Sequence, residues 1–394
     1  MVFCTGCSCL CPDIRIENGR VYNACRKGSS IFNEKKRAKP TVNGKETDIE
    51  TAIERAAEIL SSGNVAIYGL DTIPIEAQKL AIGLAEELEA YIDDNSSFCL
   101  GDFVEMILRG EIPSTTLDDV KNNAYVIFYW GTDPYNSLSR HLSLYTYYPR
   151  GGKRQRGYEE DRFLVVADIR KSHTAKLAKK NARFIRVDDD LKLVESFIQA
   201  MEGKAPQYPD VARVLSEMKK GYSVIFGGLG LKYGLNGRYE EFTEMFRRLN
   251  EITEVYFIPS GFHSNMRGFN ELLFEKTGYI NRYSFKEGVS KAEFEFSRLL
   301  IEEKIDSALI IGSDPVNSLP FEVSRKLGEI NTVVVDPLNS LTSMIADVVI
   351  PSALTPIGQG GTMMRSDGVR VKVEPLREEE WTDVKVLTSL KEMV

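Results

Sequence analysis

No stretch of this sequence stays apolar for long. Its longest such run, YVIFYW at 125–130, has a strand's length and falls far short of a bilayer span. The first residues lack a charged segment followed by an apolar one, so nothing marks the chain for export and a cytoplasmic home is expected. Positive charge is not in excess either. A formal net charge of -7 argues against a nucleic-acid or acidic-membrane partner. No segment is low in complexity, and 43% hydrophobic with 27% charged residues is the balance of a folded protein. At 394 residues the chain exceeds one ordinary core, so two or three domains are expected.

Cysteine is scarce as well, six in all, yet five fall within residues 4–25. CTGCSCLC at 4–11 is followed by Cys25 in NACRKG, and the sixth, Cys99, stands alone in SSFCLGDF. In a reducing compartment clustered cysteines are read as metal ligands before disulfides. Four of them form Cys4-x2-Cys7-x3-Cys11-x13-Cys25. A cubic [4Fe-4S] cluster takes one thiolate on each iron, which a tight loop with one distant closing ligand satisfies. Zinc competes, although its structural sites pair two short knuckles and the second is missing here. Cys9 breaks the spacing and reads as a bystander. DIRIENGRVYNAC alternates around Asn18-Gly19, so a hairpin is expected to return Cys25 to the loop.

From about residue 50 helices and strands alternate. TAIERAAEILSS (51–62) and IEAQKLAIGLAEELEA (75–90) have helical periodicity. NVAIYGLD, AYVIFYWG, RFLVVADIR, NARFIRVD, YSVIFGGLG, EVYFIPSG, SALIIGSD and NTVVVDP are short apolar runs ending in small or polar residues. That is the signature of parallel sheets flanked by helices, which bind ligands at the carboxyl ends of their strands. An internal repeat sharpens it: YVIFYWGTDPYNSL and ALIIGSDPVNSL share strand, Gly, Ser or Thr, Asp, Pro, x, Asn, Ser, Leu. Each precedes a strand closing on Asp, Asp168 in the first case and Asp336 in the second. Turns of this kind expose backbone N–H groups to phosphate, and the later Asp can take ribose or base hydrogens. Gly131, Asp133 and Asp168, and Gly312, Asp314 and Asp336, are therefore two nucleotide-site candidates. A helix-capping Asp-Pro turn is the plainer reading of either one alone. Two glycine-rich places, GGLGLKYGLNG (227–237, opening on Gly227) and GQGGTMMRSDG (358–368), read equally as plain loops or as close approaches to a large planar ligand.

CTGCSCLCPDI with NACRKG, SSFCLGDF, LDDVKNNAYVIFYWGTDP, SRHLSLYTYYPRG, VVADIRKSHTA, the HSNMRGFN region and GTMMRSDGV together resemble the bis-pterin molybdenum and tungsten oxidoreductases. Within that group the chain is similar to the B-subunit of formylmethanofuran dehydrogenase, over nearly its whole length. The resemblance implies a [4Fe-4S] cluster on Cys4, Cys7, Cys11 and Cys25. It also implies Mo or W held by Cys99 and by two molybdopterin guanine dinucleotides. Arg365 and Asp367 then join Gly131, Asp133, Asp168, Gly227, Gly312, Asp314 and Asp336 as cofactor-binding positions, with His263 beside the reacting centre. The activity implied is reversible two-electron reduction of CO2 to formate, for formation of formylmethanofuran.

The implied fold is α/β: a small N-terminal iron-sulfur domain (1–61) followed by two Rossmann-like parallel-sheet lobes (62–118 with 213–394, and 119–212), lacking the C-terminal β-barrel of larger relatives. The implied partners are a small β-barrel subunit closing the pterin cofactor, an amidohydrolase-like subunit and iron-sulfur electron-transfer subunits. Two departures bear on the activity. Family members carry His after the metal-binding cysteine, where this chain has Leu100, and an Arg where alignment on His263 leaves Gly261. Arg267 is an alternative guanidinium. A different bis-pterin oxidoreductase with a non-formate substrate, and a redox-inactive scaffold in a formyl-transfer complex, are the competing readings. His141 reads as solvated surface, His173 as ligand-facing or surface, and Trp381 as a subunit contact.

Overall fold

The computed structural model describes residues 2–34 and 36–394. They form two compact units, one of residues 1–101 with 263–394 and the other of residues 102–262. The expected second lobe, 119–212, is thus too short at both ends. Strands Ser223–Gly227 and Val255–Pro259 belong to its sheet. Periodicity identifies a strand but not the sheet it joins.

The first unit is built on a nine-stranded sheet. Its five parallel strands lie in the order Tyr91–Asp93, Val65–Gly69, Ser307–Ile311, Asn331–Val335, Val348–Ile350. Short antiparallel pairs extend both edges, Tyr283–Ser284 with Val289–Ser290 on one side and Thr41–Val42 with Lys45–Glu46 on the other. Residues from Thr41 onward therefore extend this sheet, although the iron-sulfur domain was expected to run to 61. Alternation within the strands fills two cores. Ile67, Leu309, Ile311, Val333 and Val335 face helices Ile49–Leu60, Ile75–Glu87 and Asp383–Met393. Tyr68, Ala308, Ile310 and Val334 face Phe296–Ile301 and Phe321–Leu327. Both faces are buried, which is why the strands read as unbroken apolar runs. Trp381 packs on the first core, with Lys385 Nζ 4.1 Å from its ring centroid, so the residue expected at a subunit contact serves the unit's own interior.

The second unit carries an all-parallel five-stranded sheet in the order Val255–Pro259, Ser223–Gly227, Val126–Trp130, Phe163–Asp168, Ala182–Arg186. Both units are doubly wound, and chain order reverses once in each. The reversal lies between Val65–Gly69 and Ser307–Ile311 in the first unit, and between Val126–Trp130 and Ser223–Gly227 in the second. Ligands of such sheets bind at that point, beyond the carboxyl ends of the strands.

Candidate functional site

The Asn18-Gly19 turn forms as expected. Arg15–Glu17 pairs with Arg20–Tyr22, and both central residues have positive φ (50° and 74°), the two-residue hairpin geometry Asn-Gly favours. It returns the chain to Cys25, which caps helix Arg26–Phe32 by accepting the Gly28 amide at 3.4 Å on its sulfur. Cys4 Sγ accepts the Gly6 amide at the same distance, and Cys7 Sγ accepts donors from Cys9. Amide donors aimed at sulfur favour thiolates. Two glycines make room for them: a Cβ on Gly28 would come within 2.9 Å of Cys4 Sγ and 3.8 Å of Cys25 Sγ, and one on Gly6 within 3.4 Å of Cys4 Sγ. The Cys9 thiol is more than a bystander. It is buried, and its hydrogen bond brings Cys7 down to about 7 while pushing Cys9 itself up. Lys27 faces Cys4, Cys7 and Cys25; burial lowers its proton affinity against their pull. The donor set and the glycine cradle fit a thiolate-held cluster. Among the described residues no three His, Cys, Asp or Glu side chains are arranged to hold a single metal ion.

The repeated turns prove to be one device built twice. Gly131 (φ 60°) and Gly312 (φ 57°) donate to the neighbouring strand's carbonyl, at Ala167 and Val335, both at 2.9 Å. Asp133 and Asp314 are engaged within the protein. Asp133 Oδ1 accepts Thr174 N (3.1 Å) and its hydroxyl; Asp314 Oδ1 accepts Thr342 N (2.9 Å) and its hydroxyl (2.7 Å). Each aspartate side chain ties its turn to the loop after the next strand, and neither makes a side-chain cap bond to the helix it begins, so the plain helix-capping reading does not describe them. Gly227 is small because Phe257 lies where its Cβ would go, and the run after it is a helix, Leu229–Leu235, rather than a loop. The other glycine-rich run opens a hairpin, Gly361–Met364 with Arg370–Val373. In its turn Arg365 grips Asp367 with two hydrogen bonds (3.0 and 2.7 Å), and both are buried.

What remains open differs between the units. The Asp168 carboxylate accepts the nearby Arg170 amide at 3.2 Å, with Ile169 70% exposed and Tyr135 stacked on His173 beside that strand end. Asp336, raised by burial to about 7, lines a cavity of about 220 Å³ in the first unit. Thr5, Gly6 and Lys27 bring the cysteine loop to this cavity, Thr72 and Gly312 the reversal point, and Gln359 and Asp383 the C-terminal part. Asp383, buried, sits near 6. Ser264 Oγ, Thr355 Oγ1 and Asp383 Oδ1, all on lining residues, are buried without a hydrogen-bond partner. Buried polar atoms left unsatisfied at one cavity are what a polar ligand is bound by.

Cys99 is half-buried, not packed away. It ends a turn (Asn95–Ser97) beyond strand Tyr91–Asp93 and donates its amide to Asn95 O at 3.0 Å. Leu100 is 1% exposed and directly precedes helix Gly101–Leu108. The turn is held by a buried polar network. Asn270 Nδ2 reaches Asp94 Oδ2 (3.2 Å) and Ser96 Oγ (2.9 Å), and Asn281 Nδ2 reaches Ser96 Oγ (2.7 Å). Asp93, raised by burial to about 7, accepts the Phe296 and Arg282 amides and the Ser97 hydroxyl. His263 lines the cavity, its Nδ1 3.6 Å from Asp71 Oδ2. Arg267 is 8% exposed and directed at Glu271, 3.7 Å away. His141 is buried against Phe226 and Tyr129, where burial brings it down to about 3, so it is not the surface residue expected.

No protein-family model matches the chain. Two curated proteins do, each over 94% of this chain and 92% of its own length. Both are B-subunits of tungsten-containing formylmethanofuran dehydrogenase 2, from Methanococcus maripaludis and Methanocaldococcus jannaschii, each 30% identical. The chain belongs to the family of formylmethanofuran dehydrogenase B-subunits. Among solved structures, a chain of the formyltransferase/hydrolase complex from Methylorubrum extorquens, in complex with methylofuran, shares the fold. Its TM-score is 0.72 at 22% identity, over 90% of this chain and 98% of that one. Among the described residues no helix is long and apolar enough to cross a membrane.

Proposed function

We propose that this chain is the catalytic redox subunit of a formylmethanofuran dehydrogenase-like complex, taking CO2, two electrons and one proton to formate, and the reverse. Its whole-length relation to the B-subunits of two tungsten-containing dehydrogenases carries the reading. A half-buried Cys99 on a strand-end turn supports it, where a packed thiol would have spoken against it.

In this reading Cys4, Cys7, Cys11 and Cys25 hold a [4Fe-4S] cluster, and Cys99 binds Mo or W carried by two molybdopterin guanine dinucleotides. The metal centre supplies the two-electron chemistry, with electrons from an iron-sulfur partner subunit. The chain's residues bind and orient. Gly6 and Gly28 amides stabilise cluster thiolates, and the polar network beneath Asn95–Ser97 fixes the Cys99 loop. With Asp133 and Asp314 engaged in their own turns, Asp168 and Asp336 are the repeat carboxylates left to meet the cofactor, while Arg365 and Asp367 shape the hairpin turn. An amidohydrolase-like subunit and a small β-barrel subunit closing the cofactor complete the complex, in the cytoplasm.

Formate-dependent dye reduction by the oxygen-free complex tests this. Wild type is expected to turn over, and Cys99→Ser to lose activity while keeping its iron. A metal-loaded wild type inert to formate would favour the alternative of another substrate, motivated by Leu100 and Gly261. The solved neighbour's formyl-transferring complex motivates a redox-inactive scaffold, against which stands the retention of all five proposed ligand cysteines.

A further inference from the structure

Asp71 lies at the reversal point of the first unit's sheet, on a backbone that needs a reason. Gly69 (φ 110°) and the buried Leu70 (φ 75°) both have positive φ, a costly conformation for leucine. Leu70 is held there by its amide on Ile311 O (2.8 Å) and by Gln78 Nε2 on its carbonyl (2.9 Å). The strained turn delivers a carboxylate that is 1% exposed.

That carboxylate spans two segments. Oδ2 accepts Asn95 Nδ2 (2.6 Å) and Asn95 N (3.3 Å), at the start of the turn leading to Cys99. The same oxygen is 3.6 Å from His263 Nδ1, and the Asp71 carbonyl accepts Asn265 N at 2.7 Å, fixing the chain two residues beyond. His263 Nδ1 is the buried ring nitrogen, whereas the ring is about one-third exposed and lines the cavity. The other oxygen, Oδ1, is buried with no donor on it, and the fully buried Asp94 carboxyl lies beside the Asp71 carboxylate. Burial and the Asp71 charge push Asp94 well above the carboxylate range. A proton on Asp94 is therefore held against the Asp71 carboxylate.

We propose that Asp71 is a positioning residue for His263: its carboxylate holds the imidazole as the Nδ1–H tautomer and presents Nε2 to the cavity as the seat for a proton. A carboxylate behind a histidine fixes tautomer and ring orientation in this way, and such contacts run long before substrate is bound. His263 is the one histidine in the unit that carries Cys99, where Leu100 has no proton to give. What the proton serves rests on the CO2–formate reading. The tautomer does not.

The test is 15N NMR of histidine-labelled, full-length chain, whose three histidines give three assignable rings. Neutral His263 is expected as Nδ1–H in wild type and in Asp94→Asn, whose amide replaces the acid proton. It is expected to move to Nε2–H in Asp71→Ala, which leaves Nδ1 without its acceptor, whereas Asp71→Asn, whose amide oxygen keeps the Asn95 donors, should retain Nδ1–H. Wild-type His263 as Nε2–H, or no change in a folded Asp71→Ala, overturns the proposal; if that variant does not fold, the wild-type tautomer still decides. In the loaded complex Asp71→Ala should lower kcat roughly tenfold or more with little change in KM, the cost typical of an outer partner. The expected tautomers in a complex inert to formate would remove the proposed function and leave this inference standing.

Discussion

The two Gly-x-Asp-Pro turns share a backbone and differ in what surrounds them. In each, a left-handed glycine donates to the next strand and an aspartate ties down a threonine across the loop. In the second unit the strand end beyond is open, with half-buried Asp168 and an exposed Ile169. In the first unit the cysteine loop, His263 and the C-terminal segment converge on the same place and bury Asp336. The same turn is thus set in two different surroundings, and it is the segments gathered around it that differ.

Four substitutions sharpen that contrast. Gly131→Ala should cost most, about 3 kcal/mol or more in urea unfolding. Positive φ alone costs about 1–2 kcal/mol, and the new Cβ would land on the Leu231 amide. Gly312→Ala meets the Thr72 hydroxyl at 2.5 Å, a side chain able to turn away, and should cost about 2 kcal/mol. Equal costs would mean the two turns are equally crowded. Asp133→Ala and Asp314→Ala should each lose about 2 kcal/mol, because both leave a buried threonine hydroxyl without its acceptor. A clear difference between them would show that one aspartate does more than hold its turn.

Asp336 should reveal itself by pH. The folded-state value of Asp336, near 7, lies above its ordinary 3.8, so the folded protein binds the extra proton between those values. Its contribution to stability then falls as pH rises from about 4 to 7 and levels off above. Asp336→Asn should remove that fall, gaining on the order of 2 kcal/mol at pH 8 over wild type and nothing near pH 4. Smallest of all, Tyr135→Ala should stay within about 0.5 kcal/mol of wild type, since Tyr135 is 49% exposed and its stack on His173 lies at the surface.

Eight of the ten parallel strands were legible, most of them as short apolar runs buried on both faces; the three-residue strands Tyr91–Asp93 and Val348–Ile350 were too short to read. The Asn18-Gly19 hairpin was legible because few other sequences accept two positive φ values in a row. Sheet membership was not, since the pattern of Ser223–Gly227 is that of any central strand. Nor were the uses of Asp133, Asp314, Arg365 and Asp367. Their partners are a threonine on the next loop or each other, and a carboxylate in a turn looks the same whether it meets a ligand or a hydroxyl. The link from Asp71 to His263 joins residues some 190 positions apart, and only the fold brings them together. Cys99 stood out through the family resemblance, for a lone cysteine before leucine and glycine carries no spacing signal of its own.

The central claim is that five cysteines hold two inorganic centres. Iron, molybdenum and tungsten should be measured in the complex purified without oxygen, for wild type, Cys25→Ser and Cys99→Ser. Loss of chain-bound iron in Cys25→Ser alone, and of molybdenum or tungsten in Cys99→Ser alone, is the predicted result. Wild-type protein that carries iron with neither heavier metal would contradict the account.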